Sequence, residues 1–333
     1  MAILPRIQKI KPLVPSFWCQ TGHQQTIIGH LIPSLASPHP GDPVLFQLQD
    51  GDQLRGYQKI NQNPDSKKVI AILMHGLAGS IDSDYMRRSA IICDHLKISR
   101  LLLNHRGVGD GQLMAKHPYH SGRGEDISDV IQSLRAAHPD HQILAMGFSM
   151  SGNMLLTLLS GMSGQHQPDF AITVNAPIDL KSTAKNLSLG WNRIYDLRFV
   201  KILKENLNQR KELGLINEVP QISWHDRILD FDEVFTAPTC GFRSREHYYE
   251  VASSKEWLHQ IQTPTILLTS ADDPFVSVDS YLSARLSDSC RLHIESRGGH
   301  MGYFSGQRLK HHGHRWLDYF LTEAISMATG CYV

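Results

Sequence analysis

From residue 44 onward, apolar and polar positions alternate between two periods. VLFQLQDG followed by LRGYQKI predicts a β-hairpin that turns at Asp50-Gly51. Val69–Met74 is an unbroken apolar run, the pattern of a strand buried on both faces. Arg100–Asn104 predicts a second such strand. Ile127, Val130, Ile131 and Leu134 then recur at helical spacing, which predicts an amphipathic helix over 125–137. A strand over 143–146 and a Leu- and Met-rich helix over 153–159 follow. Further strands are expected at 170–174, 265–269 and 291–295, and a last helix over 314–327. Strands alternating with helices imply an α/β fold, with a mainly parallel sheet covered on both faces.

The rhythm fails between residues 178 and 256. That stretch is rich in Lys, Arg, Asn, Trp and Tyr and has no buried-strand pattern. It reads as a mostly helical insertion between two strands, set over the site as a cap. The chain therefore divides into a core, 1–177 and 257–333, and a cap or lid, 178–256. Residues 1–43 form an N-terminal arm of the core. Phe17, Trp18, Ile27 and Ile28 make that arm apolar, suited either to wall a pocket or to cover the core.

The 333 residues are 41% apolar, enough to bury a large core. With 33 basic and 32 acidic residues, overall charge gives no argument for nucleic acid or an anionic membrane as partner. No stretch approaches the roughly 20 apolar residues that span a bilayer. Arg6, Lys9 and Lys11 interrupt the opening MAILPRIQKIKPLVP, which lacks the apolar centre of a secretory signal. Cys19, Cys93, Cys240, Cys290 and Cys331 are odd in number and form no CxxC pair, so reduced thiols in a cytoplasmic protein are expected. Oligomeric state is left open.

The chemistry concentrates in three segments. Gly147-Phe148-Ser149-Met150-Ser151-Gly152 follows a predicted strand and opens a predicted helix, the context of a nucleophile elbow that exposes a serine Oγ. Ser151 stands where the pattern has its second glycine. It is tolerated if the turn holds it at negative φ and strained if the turn demands positive φ. Asp272 and Asp273 lie in the loop after the strand TPTILL, where a carboxylate can receive a histidine Nδ1–H. His300 sits among glycines in Arg297–Gly302, after the strand RLHIES. The order Ser, Asp, His is that of a Ser-His-Asp hydrolase on an α/β sheet. His75-Gly76-Leu77-Ala78-Gly79 follows the first buried strand, and the Leu77 and Met150 N–H groups are the expected oxyanion donors. Neither a metal nor an organic cofactor is called for. Arg106 and Asp126 are expected to pair and brace these loops. His311, His312 and His314 read as a solvated start to the last helix rather than a metal site.

Taken together, GHQQT, HGLAGS, NHRG, YHSGRGED, GFSMSGN, Asp-Asp-Pro-Phe and GGHMGY resemble the YheT-like branch of the α/β-hydrolase superfamily, over most of the chain. Phe231-Asp232-Glu233 and Thr236-Ala237-Pro238 carry the resemblance into the insertion. It implies an eight-stranded, mostly parallel sheet with an inserted helical cap, and esterase or lipase-like activity. It aligns Asp273 rather than Asp272 as the acid. The expected activity is hydrolysis of carboxylic esters, small-molecule substrates that include lipid-derived ones, through Ser149, His300, Asp273 and an acyl-enzyme. An acyltransferase or thioesterase with the same triad, and a silent scaffold that only binds, remain the alternatives.

Overall fold

The computed structural model describes residues 10–32, 38–63, 66–223 and 225–330. The start of the arm, with Arg6 and Lys9, and Cys331 lie outside the described residues. The chain opens with α1 (Gly22–Leu31), whose N-cap Thr21 and Gln24 form a capping box. The expected hairpin is β1 (Asp42–Gln47) and β2 (Gln53–Lys59), turning through Gly51 at φ +90°. Then follow β3 (Val69–Met74), α2 (Asp84–His95), β4 (Ser99–Leu103), α3 (Gly124–Ala137), β5 (Gln142–Phe148), α4 (Met150–Leu159) and β6 (Phe170–Val174). Five helices come next: α5 (Leu180–Leu187), α6 (Arg193–Glu212), α7 (Ile228–Phe231), α8 (Ala237–Thr239) and α9 (Arg245–Ala252). A single π-helical stretch, Asp232–Thr236, joins α7 to α8. The sheet resumes with β7 (Thr265–Ser270), α10 (Val278–Leu282) and β8 (Cys290–Glu295). A small hairpin, β9 (Phe304–Leu309) and β10 (Gly313–Arg315), leads into α11 (Trp316–Thr329).

Eight strands form one sheet in the order β1-β2-β4-β3-β5-β6-β7-β8. β2 runs antiparallel to both β1 and β4, and every other pairing is parallel. The unbroken apolar run of β3 has a direct cause. Ile70, Ile72 and Met74 point into one core, with α3 and α4, while Val69, Ala71 and Leu73 point into the other, with α2 and α11. A strand covered on both faces has no polar side to alternate with.

The structure adds elements that the pattern did not mark, α10 and the β9–β10 hairpin among them. α1 and α2 lie in stretches the pattern did not mark as helical. The final helix begins at Trp316, so His311, His312 and His314 belong to the β9–β10 hairpin rather than to a helix start. The four described cysteines are free, and no described helix is long and apolar enough to cross a membrane.

Candidate active site

β5 ends at Phe148 and α4 begins at Met150, leaving Ser149 alone in the bend at φ +52°, ψ −120°. A non-glycine residue in that region costs on the order of 1–3 kcal/mol and persists only where the surroundings enforce it. Ala78, Asn175, Met301 and Tyr303 also have positive φ, so the strain gathers in the loops around Ser149. Close packing at the bend falls on Gly152, where a Cβ would sit 2.7 Å from the Ala176 Cβ.

Ser151 is not among the positive-φ residues. Its side chain is fully buried, and its Oγ donates to the His75 carbonyl and lies 2.6 Å from His105 Nε2. Burial lowers His105 to about 4, so the ring is neutral at pH 7 and donates from Nε2. The serine is thus tolerated in the turn and cross-links two loops. Ser151→Gly is expected to keep the protein reactive at Ser149. It should lower stability by about 1–2 kcal/mol, through a lost hydrogen bond and a more flexible unfolded chain. Thermal melting beside active-site labelling checks both halves.

The structure brings Ser149, His300 and Asp273 into one hydrogen-bonded line. Ser149 Oγ lies 2.9 Å from His300 Nε2, and His300 Nδ1 lies 2.7 Å from Asp273 Oδ2. A carboxylate only accepts, so Nδ1 carries the proton and Nε2 is free to accept from the serine. Asp273 is further held by the N–H groups of Phe275 and Val276, 3.1 and 3.0 Å from Oδ1, and by Asn175 Nδ2, 2.7 Å from Oδ2. Tyr303 donates to Asn175 Oδ1 at 2.9 Å. Asp272 points elsewhere: its Oδ1 accepts from the Gly299 N–H at 2.9 Å. Asn175 and Tyr303 were not read from the sequence as site residues. The signal for Asn175 was faint, a polar residue directly after the buried strand Phe170–Val174.

The loop carrying His300 rests on α1. The His300 N–H donates to Thr26 Oγ1 at 2.8 Å, and Thr26 Oγ1 in turn donates to the Gly22 carbonyl at 2.7 Å. The Gln25 amide is fully buried. It donates to the Phe304 carbonyl at 3.1 Å and accepts from the Phe304 N–H at 2.6 Å. The backbones nearly touch: a Cβ on Gly302 would fall 2.1 Å from the Gln25 carbonyl oxygen. The GHQQT segment therefore supports the histidine loop, a third use for the arm beyond walling a pocket or covering the core.

Ser149 opens onto a partly enclosed cavity. Leu77 and Met150 line it beside the serine, and residues of α5, α6, α7 and α9 make most of the remaining wall, among them Leu187, Leu203, Phe231 and Tyr249. As the first residue of α4, Met150 has an N–H with no intrahelical acceptor. The wall is mostly apolar, with Arg106, Arg210 and Asn206 among its polar side chains and Asp232 as a buried acid. Burial pushes the Asp232 carboxyl up to about 6, and it accepts from Thr236 Oγ1 and Tyr249 OH, each at 2.7 Å.

Arg106 and Asp126 pair as expected, through two hydrogen bonds at 2.7 and 2.6 Å. Arg106 Nη1 also reaches Asp50 and Asp52, each at 2.7 Å. Asp50, Asp52 and His117 bring possible metal ligands within 4.8 Å of one another. The guanidinium already holds both carboxylates, so the cluster reads as an ion-paired brace between the hairpin and α3.

The family described as alpha/beta hydrolase fold matches residues 72–307. YheT of Escherichia coli is 27% identical over 278 residues, which are 82% of this chain and 81% of that protein. The monoacylglycerol lipase of Saccharomyces cerevisiae is 30% identical over 268 residues, 76% of this chain but 58% of the lipase. The bovine phospholipase ABHD3 is 24% identical over 306 residues, covering 88% of this chain and 73% of the phospholipase. Among solved structures, an esterase of Pyrococcus furiosus superposes with a TM-score of 0.57 at 14% identity, over 90% of this chain and all of that one, a likeness of fold. With its eight-stranded sheet and a serine held in the bend after β5, the chain belongs to the α/β-hydrolase fold family and is a YheT-like member of it.

Proposed function

We propose that the protein is a serine hydrolase that cleaves carboxylic esters, with Ser149 as nucleophile, His300 as general base and acid, and Asp273 as the orienting acid. The observation that carries this reading is the line from Ser149 Oγ through the imidazole to Asp273, ending in an apolar cavity. His300 Nε2 removes the serine proton as Oγ attacks the ester carbonyl. The negative oxygen rests on the N–H groups of Leu77 and Met150. His300 then protonates the leaving alcohol, and water, activated by the same imidazole, releases the acid from the acyl-enzyme. No step in this sequence calls for a metal or organic cofactor.

Residues 178–256 act as a cap on a core formed by 1–177 and 257–333. The cap supplies most of the apolar wall, which favours an acyl chain over a charged substituent. The relatives named as a monoacylglycerol lipase and a phospholipase support a lipid-derived ester.

Two measurements test the reading. A fluorophosphonate should give a single adduct, on Ser149, by mass spectrometry. Leu187→Phe combined with Leu203→Trp narrows the pocket and should shift preference toward short acyl chains. The expected change is about tenfold in kcat/KM for a p-nitrophenyl octanoate relative to the acetate, equivalent to burying two fewer methylenes at about 0.8 kcal/mol each. Labelling at another residue, or an unchanged chain-length profile, contradicts the assignment.

A further inference from the structure

The near-neutral overall charge hides a local asymmetry. No acidic residue precedes Asp42, and between Leu180 and Lys204 the one acid is Asp196, with Asp179 just before as the N-cap of α5 and Glu205 just after. Asp196 is buried and already accepts from Arg193 and from the Ile228 N–H, each at 2.8 Å. The same two stretches carry exposed apolar side chains. On α1, Ile27 is exposed and Leu31 is 67% exposed. Just before and within the first turn of α6, Leu189, Trp191 and Ile194 are 53%, 78% and 56% exposed.

The two stretches meet. His23 Nδ1 lies 3.1 Å from Tyr195 OH, with the rings stacked. Desolvation and, second, the Arg198 guanidinium hold His30 below its ordinary value, which puts Arg198 within electrostatic reach of α1. Asp84, the acid that also reaches His30, is bonded to Arg88 at 2.8 Å. Helical spacing sets Ile194, Arg198 and Lys201 along one side of α6, and His23, Ile27 and Leu31 along one side of α1. Arg198 and Lys201 are exposed, Lys201 with Glu205 at 3.9 Å in a solvent-facing pair, as are Lys181 and Lys185 on α5. The result is an apolar face bordered by cations.

This face adjoins the candidate site. The Tyr195 ring is 5.7 Å from that of Phe275, and the Phe275 ring is 4.1 Å from the His300 imidazole. We propose that the face docks the protein on an anionic lipid surface, delivering an ester lipid to the pocket beside His300. A tryptophan and aliphatic tips enter the interface while lysines and arginine meet the headgroups. A second copy fits the face less well, because two basic surfaces repel when brought together. The inference rests on the proposed ester chemistry for its purpose, but its test does not.

The test is sedimentation of the full chain with vesicles of phosphatidylglycerol and phosphatidylcholine in equal parts, beside vesicles of phosphatidylcholine alone. The protein should pellet with the anionic vesicles and much less with the neutral ones. Arg198→Gln with Lys201→Gln should lower that partition about tenfold or more, at roughly 1 kcal/mol per cation. Trp191→Ser with Ile194→Ser should lower it similarly, while hydrolysis of water-soluble p-nitrophenyl acetate stays at the wild-type rate. Wild-type protein that stays in the supernatant, or variants that pellet as well as wild type, overturns the proposal. A dimer in light scattering that these substitutions dissolve, with no vesicle binding, overturns it in favour of a second copy. A protein that binds vesicles yet hydrolyses no ester refutes the ester reading alone.

Discussion

Replacing Ser149 with alanine is expected to lower kcat for a p-nitrophenyl ester by a factor of about 10⁴–10⁶, with the fold unchanged. The loss is large because the serine and imidazole act as a unit. His300 Nε2, 2.9 Å from Oγ, has nothing else to deprotonate toward the ester. Alanine at this position keeps the strained backbone of the bend, at φ +52°, and deletes only the hydroxyl. Circular dichroism and melting should match wild type to within a few degrees. A residual rate above solution is expected, since the pocket and the N–H groups of Leu77 and Met150 remain. Equal rates in mutant and wild type would sink the assignment of the nucleophile.

Asp273→Asn should cost about 10⁴ in kcat, while Asp272→Asn should cost far less. The reason lies in the donors around each carboxylate. Asp273 Oδ2 receives the His300 Nδ1 proton and an Asn175 N–H, and Oδ1 receives two backbone N–H groups. An amide here places its NH₂ either at the Oδ1 position, against the Phe275 and Val276 N–H groups, or at the Oδ2 position, against Nδ1 and the Asn175 amide. In the second arrangement the ring is driven to the tautomer that carries its proton on Nε2, where it can no longer accept from Ser149. In either arrangement the negative charge that steadies the imidazolium is gone. Asp272 holds the Gly299 N–H, and its Oδ2 faces the Arg297 guanidinium at 3.9 Å, so its loss acts only through the shape of the loop. Steady-state kinetics on the two variants decides between them, and a larger loss from Asp272→Asn would show the roles reversed.

The parallel strands were the legible part of the fold. Val69–Met74 announces itself because burial on both faces removes every polar position, and Phe170–Val174 is apolar but for the buried Thr173. The elbow was legible for a different reason: strand, small residue, serine and helix are consecutive, so one local pattern contains the whole feature. α1 escaped because its outward residues are as apolar as its inward ones, and Gln25, its fully buried side chain, is polar. The β9–β10 hairpin escaped because a strand of three residues has too few positions for a period. Thr26 and Asn175 escaped for a physical reason of another kind. Periodicity reports which face of an element is covered and not what covers it, and these side chains work through partners 274 and 98 positions away.

The support of the histidine loop by α1 also sets a timetable for the newborn chain. Gly22–Leu31 leaves the ribosome among the first segments, yet the loop it packs against is made some 270 residues later. At about 5–20 residues per second, that is a wait of roughly 14–55 s. Until Tyr195 is made, α1 lacks even its contact with α6, and until the loop follows, Ile27, Ile28 and Leu31 stay available to anything apolar nearby. The sheet from β3 to β6 can close long before this, with Ser149 already in its bend and no base beside it. The hydrogen-bonded line through Ser149 is therefore completed last, when the two ends of the chain find each other, and a ribosome stalled before His300 would leave Ser149 without the imidazole beside it.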